Sequence, residues 1–262
     1  MSRHIRELFD LGGRGALVTG GSRGLGLQIA EALGEAGASV ILTARSTDDL
    51  ASAAAHLNGK GITAQSIAGD ASNPEEIQRI CQEAVIRLGH VDILVNNAGA
   101  AWGAPAEDHS LAAWDKVMNL NVRSAFLFSQ WIAKRSMIPR REGRILMVAS
   151  ICGLAGNASG HETAAYNTSK AAMINMARAL AGEWGEFAIT VNALAPGWFP
   201  TKMTRGTLDT RGVEHMTARI PLGRLGDAED LKGAAVLFAS AAGKHITGQV
   251  LAIDGGASVI VG

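Results

Sequence analysis

The chain carries a single tyrosine, Tyr166, and a lysine follows it by four residues in Tyr166-Asn167-Thr168-Ser169-Lys170. Residues four apart share a helix face, which sets the ammonium over the same patch as the phenol. A phenol with its unperturbed pKa of about 10 is a poor acid and a poor base near neutrality. At an effective dielectric near 20, unit charges about 4 Å apart interact by about 4 kcal/mol, equivalent to roughly three pKa units. Lys170 is therefore expected to lower the Tyr166 pKa toward the range useful in general acid–base catalysis. An isolated pair of this spacing is more often a packed tyrosine beside a surface lysine, so the remainder of the chain has to decide.

A second group of residues suits a phosphate. Thr19-Gly20-Gly21-Ser22-Arg23-Gly24-Leu25-Gly26 lies between an apolar run and an amphipathic segment. Glycines allow a tight turn and close backbone approach to a pyrophosphate, and a helix N-terminus offers N–H groups and a positive dipole end. Placement at the first strand–helix junction is the context that a dinucleotide-binding turn requires. The next apolar run ends in Thr43-Ala44-Arg45, with no acid before Asp48. An NAD site places an acid there for the ribose 2′-hydroxyl. Arg45 and Arg23 instead suit a clamp on a 2′-phosphate, so NADP(H) is the expected cofactor and NAD(H) the less favoured one.

These side chains need a scaffold that alternates strands with helices. Apolar runs predict strands over 16–20, 39–43, 62–68, 91–95, 144–149, 188–194 and 249–253. Amphipathic stretches predict helices over 25–35, 47–57, 111–137 and 163–184, with a late helix starting at Asp227-Ala-Glu-Asp230. Another opens at Asn73-Pro74-Glu75-Glu76: a capping asparagine, proline at the first helical position and acids in the first turn. Strands apolar on both faces and alternating with helices imply an α/β fold, a doubly wound parallel sheet of Rossmann type covered on both sides. No linker or repeat interrupts the pattern, so one domain over 1–262 is expected. The irregular stretch 196–220 is the exception, and such stretches are usually functional.

Composition narrows the partners. Charges balance at 24 against 24, which points away from nucleic acid and anionic membranes. Hydrophobic residues make up 47% of the chain, enough for a sizeable core. Cys81 and Cys152 have no metal-ligand spacing, and no metal is expected. Two isolated cysteines and no signal-peptide pattern in the first residues fit a reduced, cytoplasmic setting. No segment reaches the apolar length of a membrane span.

Over nearly its full length the chain resembles the short-chain dehydrogenase/reductase family. The resemblance rests on Thr19-Gly20-x-x-x-Gly24-x-Gly26, Asn96-Asn97-Ala98-Gly99, Asn121, Ser150, Tyr166-x-x-x-Lys170, and Pro196-Gly197 with Thr201, in this order and at the predicted strand ends. It is similar to the branch that holds the 3-oxoacyl-carrier-protein reductases and gluconate 5-dehydrogenases. The resemblance implies that Tyr166 acts as general acid in carbonyl reduction and as base in alcohol oxidation. Lys170 would lower its pKa and bind the nicotinamide ribose. Ser150 would hydrogen-bond the substrate oxygen, and Asn121 would hold a relay water next to Lys170. Ser22 and Leu25 would join the glycine turn around the pyrophosphate. Asp70 and Ala71 would meet the adenine, Asn96, Ala98 and Gly99 would line the cofactor trough, and Pro196, Gly197, Phe199 and Thr201 would hold the nicotinamide end. A homotetramer through the helices of 111–137 and 163–184 is implied as well.

One spacing departs from the family. Ser150 and Tyr166 stand sixteen positions apart, longer than the family pattern, so 151–165 is expected to bulge over the substrate pocket. His161 and Glu162 are then either substrate contacts or solvated loop residues. Trp198 and Met203 are further substrate candidates beside Phe199, and Lys202 and Arg205 suit a carboxylate or phosphate. Trp102 and His109 belong either to the rim or to packing. These residues fit a keto sugar acid such as 5-ketogluconate and also a 3-oxoacyl thioester. An NADP-binding sensor without catalysis is the third reading, opposed by the presence of Tyr166, Lys170 and Ser150 together.

Overall fold

The protein is described by a computed structural model covering residues 2–157 and 162–260. Its centre is a seven-stranded sheet in the order β3-β2-β1-β4-β5-β6-β7, every pair parallel. The strands are β1 (Gly15–Thr19), β2 (Ser39–Ala44), β3 (Ala64–Ala68), β4 (Ile93–Asn96), β5 (Gly143–Val148), β6 (Ile189–Pro196) and β7 (Val250–Ile253). A short α1 (Ile5–Phe9), absent from the sequence expectation, precedes the sheet. The crossovers are α2 (Gly24–Glu35), α3 (Thr47–Gly59), α4 (Pro74–Leu88), the segment α5 (Leu111–Met118) and α6 (Ser124–Ile132), α8 (Ala164–Trp184) and α11 (Lys232–Ala239). A single turn, α7 (Ile138–Arg140), leads into β5.

Period-two alternation divides the core between the two faces of the sheet. In β1, Ala16 and Val18 face a layer containing Ile29, Leu33, Leu50 and Phe238 from α2, α3 and α11. Leu17 faces the opposite layer, with Ile77, Ile80, Phe128 and Met173 from α4, α6 and α8. Both sides of the sheet are thus buried, which is why the strands read as continuous apolar runs. The strand order reverses between β1 and β4, and in doubly wound sheets a ligand crevice opens there, beyond the carboxyl ends of the strands.

Several boundaries differ from expectation. The predicted helix 111–137 follows one course but contains two π turns, Asn119–Arg123 and Ala133–Met137. β3 begins at Ala64, because the Asn58 amide pairs with both main-chain groups of Ala64 at 3.0 and 3.1 Å and fixes the preceding residues as a turn. The late helix begins at Lys232 rather than Asp227. Asp230 accepts from the Asp227 N–H and is gripped by Arg224 at 2.6 and 2.8 Å, holding 227–231 as a separate turn. The irregular stretch 196–220 contains two short helices, α9 (Arg205–Arg211) and α10 (Val213–Thr217).

Candidate active site

At the switch point the ends of β1 and β4 are tied by side chains. Thr19 Oγ1 accepts from the N–H groups of Asn97 and Ala98, both at 3.0 Å, and the Asn97 amide donates to the carbonyls of Thr19 and Gly20 at 3.0 Å. The glycine turn packs directly on this clasp. Gly20 has a φ of +63°, and a Cβ there would stand 2.9 Å from Asn97 Nδ2. A Cβ at Gly26 would stand 2.4 Å from the Gly20 carbonyl oxygen. Only glycine meets both demands, and the result is a bare backbone wall beside the N-terminus of α2.

The wall borders a cleft of about 730 Å³ running along the strand ends. Gly20, Ser22, Arg23, Gly24 and Leu25 line it from the first turn, Arg45 from the end of β2, Asp70 and Ala71 from the end of β3, and Ala98 and Gly99 from the end of β4. Tyr166, Lys170, Thr201, Lys202 and Met203 also line it, with Thr201 lying against Gly24. The bare glycine wall beside a helix N-terminus fits the pyrophosphate of a dinucleotide, and Arg23 and Arg45 put cations on the same cleft. Asp70 is held as a carboxylate: hydrogen bonds from the Ser72 N–H and hydroxyl, both 2.8 Å, and nearby Arg45 depress its pKa against the cost of burial.

The chemistry-bearing residues converge through three elements. The π turn Asn119–Arg123 directs Asn121 inward, where it is fully buried. Its Oδ1 accepts from Ala100 N–H at 2.8 Å, and its Nδ2 donates to Ala100 O and Ser169 Oγ at 2.9 Å each. Ser169 in turn donates to the Tyr166 carbonyl at 2.7 Å, so Asn121 braces the turn of α8 that carries the tyrosine. From β5, Ser150 caps the short 3₁₀ turn Ile151–Gly153 and accepts from the Cys152 N–H at 3.1 Å. That turn lies against α8 so closely that a Cβ on Gly153 would meet the Lys170 carbonyl carbon at 2.6 Å. Ser150, Cys152, Tyr166 and Lys170 are thereby brought to one place. The sequence pointed to Cys152 only as a reduced thiol; its value to the site, beside Ser150, depends on a turn that no pattern announced.

Lys170 Nζ donates to Val148 O at 2.7 Å and stands 5.6 Å from the centroid of the Tyr166 ring. Desolvation pushes Lys170 down to about 8. It also pushes the half-buried Tyr166 up to about 12, with nearby Cys152 acting in the same sense and a hydrogen bond with Ser150 in the opposite one. The lowering of the tyrosine expected from its lysine neighbour is not what this geometry gives. Removing both groups from water disfavours each charged form.

Other candidates fall in varied places. Asn96 is turned away from the cleft, donating to Ser129 Oγ at 2.9 Å, and serves the strand end; its neighbour Asn97 faces the cleft instead. Pro196 ends β6, and Gly197 packs so tightly on Asp254 that a Cβ would lie 2.7 Å from the aspartate Cβ. The Phe199 ring is buried in the core, with Gly226 left bare to accommodate it. Trp198 lines a separate hollow of about 450 Å³ with Pro221 and Leu222. Met203 is half exposed on the cleft. Arg205 opens α9 and is exposed. Glu162 accepts from Ala104 N–H through its main chain at 2.9 Å, joining the loop before α8 to that after β4, where Trp102 is exposed. His109 stacks edge-on against Trp114 at 6.4 Å, a packing position. His161 lies outside the described residues.

Comparison with known proteins agrees with this architecture. A family model described as enoyl-(acyl carrier protein) reductase matches residues 20–258. The chain is 41% identical to a rhamnolipids biosynthesis 3-oxoacyl-[acyl-carrier-protein] reductase of Pseudomonas aeruginosa, over 96% of this chain and 99% of that one. It is 38% identical to a gluconate 5-dehydrogenase of Gluconobacter oxydans, over 97% and 98%. Among solved structures, a gluconate 5-dehydrogenase from Burkholderia cenocepacia in complex with NADP and tartrate superposes with a TM-score of 0.93. That pair is 33% identical, with 98% and 100% of the two chains covered.

Proposed function

The chain belongs to the short-chain dehydrogenase/reductase family of NAD(P)-dependent oxidoreductases acting on CH–OH and C=O groups, and we propose that it uses NADP(H) to interconvert a keto sugar acid with its secondary alcohol. One observation carries the choice of substrate. The two aromatic residues that would wall an acyl chain turn away from the cleft, Phe199 into the core and Trp198 into a separate hollow. Lys202, with Thr201, lines the cleft in their stead, a cation placed for a carboxylate. The half-exposed Met203 and the likeness to a 3-oxoacyl-[acyl-carrier-protein] reductase favour the second reading, a 3-oxoacyl thioester.

A bound nicotinamide supplies the hydride in reduction and accepts it in oxidation. This chain's residues handle the proton and the position. Tyr166 holds its proton at neutral pH and releases it to the carbonyl oxygen. The Ser150 hydroxyl accepts from Cys152 N–H and has its own hydrogen to donate to the same oxygen, where charge develops. The Lys170 ammonium, beside the ring, stabilises the tyrosinate left behind. Asn121 holds Ala100 and Ser169 in place and thereby keeps α8 in register. Gly20, Ser22, Gly24, Leu25 and Gly26 hold the pyrophosphate, Arg23 and Arg45 the 2′-phosphate, and Asp70 and Ala71 the adenine. The family reading also makes the protein a cytoplasmic homotetramer.

The test is NADPH oxidation with keto sugar acids, 3-oxoacyl thioesters and aryl ketones, comparing kcat/KM. Keto sugar acids are expected to lead; a tenfold lead for thioesters would reverse the assignment. Tyr166→Phe should reduce turnover by roughly 10²–10⁴-fold, the usual worth of a positioned acid, with NADPH affinity retained. Undiminished turnover would remove Tyr166 from the mechanism.

A further inference from the structure

Arg23 is the residue on which the glycine turn ends, and it lines the same end of the cleft as Arg45 and Ser46. Its guanidinium forms an ion pair with the carboxylate of Asp49. The partners are 26 positions apart and come from the starts of α2 and α3, the two helix N-termini that flank the 2′-phosphate in the reading above. Both side chains remain about half exposed, at 50% and 41%, so neither is locked in place by packing. Asp49 is itself well placed. Its N–H donates to Ser46 Oγ at 3.2 Å, and it sits in the first turn of α3 with Asp48, where the helix dipole favours a carboxylate.

We propose that Asp49 is a specificity-setting residue that competes with the cofactor 2′-phosphate for Arg23. The inference rests on the NADP(H) reading. A guanidinium that serves the phosphate with its full hydrogen-bonding fork must loosen its grip on Asp49, and the carboxylate so released stands as a like charge near the phosphate. Both effects weaken NADPH binding and leave NADH, which has a hydroxyl at that position, untouched. Asp49 therefore narrows the gap between the two cofactors that Arg23 and Arg45 open. An exposed ion pair is a modest competitor, which places the effect at about two- to fivefold in affinity, smaller at high ionic strength where exposed charges are screened.

The experiment is a titration of NADPH and NADH, followed by protein fluorescence, at low and high salt. The proteins are wild type, Asp49→Asn, Arg23→Ala, the double variant and Arg45→Ala. Asp49→Asn is expected to tighten NADPH by about two- to fivefold with NADH unchanged. The gain should shrink in salt and be smaller in the Arg23→Ala background, where only the like-charge repulsion is left to remove. Weaker NADPH binding in Asp49→Asn would mean that Asp49 orients Arg23 for the phosphate, and would overturn the proposal. Equal changes for both cofactors, or none, would overturn it too. Failure of the NADP(H) reading has a separate signature: wild type would bind NADH as tightly as NADPH, and Arg45→Ala would affect both alike.

Discussion

Desolvation holds the Tyr166 hydroxyl at about 12 and the Lys170 ammonium at about 8, so at neutral pH the phenol keeps its proton and the lysine its charge. That pairing suits proton donation. The acid is present in its working form, and the cation that stabilises its conjugate base is charged. As pH rises through about 8, Lys170 loses its charge while Tyr166 is still protonated. The kcat/KM for ketone reduction is therefore expected to be flat below that pH and to fall above it. A profile flat to pH 10 would show that the lysine charge is not needed. The Tyr166–Lys170 spacing was legible in the sequence. The direction of the tyrosine shift was not, because four-residue spacing reports proximity and says nothing of how much water the fold removes. The Arg23–Asp49 pair was equally invisible, since no local periodicity connects residues on different crossovers.

Among the elements, α2, α3 and α11 are joined by one carboxylate as well as by their apolar layer. Burial alone would raise the Glu31 pKa, but Lys232 at 2.7 Å with His56 and Lys60 at 3.0 Å outweigh it and hold the group at about 2. A folded-state pKa below the unfolded value stabilises the protein above the unfolded pKa, and that stability is lost as pH falls through the folded one. Glu31→Gln is accordingly expected to cost about 1–2 kcal/mol at neutral pH, discounted for the exposure of His56 and Lys60. The difference from wild type should close between pH 4.5 and about 2, as read by urea unfolding across pH. A constant difference would assign the loss to packing. The helices in question were legible from their patterns, and α4 also from its cap. The π turn that aims Asn121 was not, since one extra residue in a turn leaves the run 111–137 amphipathic and uninterrupted. Nor was the orientation of Trp198 and Phe199. Adjacent aromatics read alike until the bare Gly226 admits one of them to the core.

For the whole molecule, the doubly wound parallel sheet and the site at the strand ends follow from alternation and handedness, and both were legible. How copies of the molecule meet was read only from family likeness, and the surface supplies a physical reason to expect association. On the α5–α6 segment, Leu111 is 79% exposed and Phe126 40% exposed, although their neighbours Val117 and Phe128 are buried. Large apolar side chains left in water next to a packed face gain by burial against a second copy, at about 25 cal/mol per Å² of apolar area. With a formal net charge of zero, no long-range repulsion opposes close approach. The predicted species is a homotetramer, four times 27.2 kDa by light scattering. Phe126→Glu should shift the mass toward smaller species, because burying an unpaired carboxylate in an apolar contact is costly. The variant should keep the wild-type far-ultraviolet circular dichroism, since Phe126 lies outside the folded core. A wild-type monomer at micromolar concentration would refute the assembly, and a Phe126→Glu tetramer would move the interface off α6.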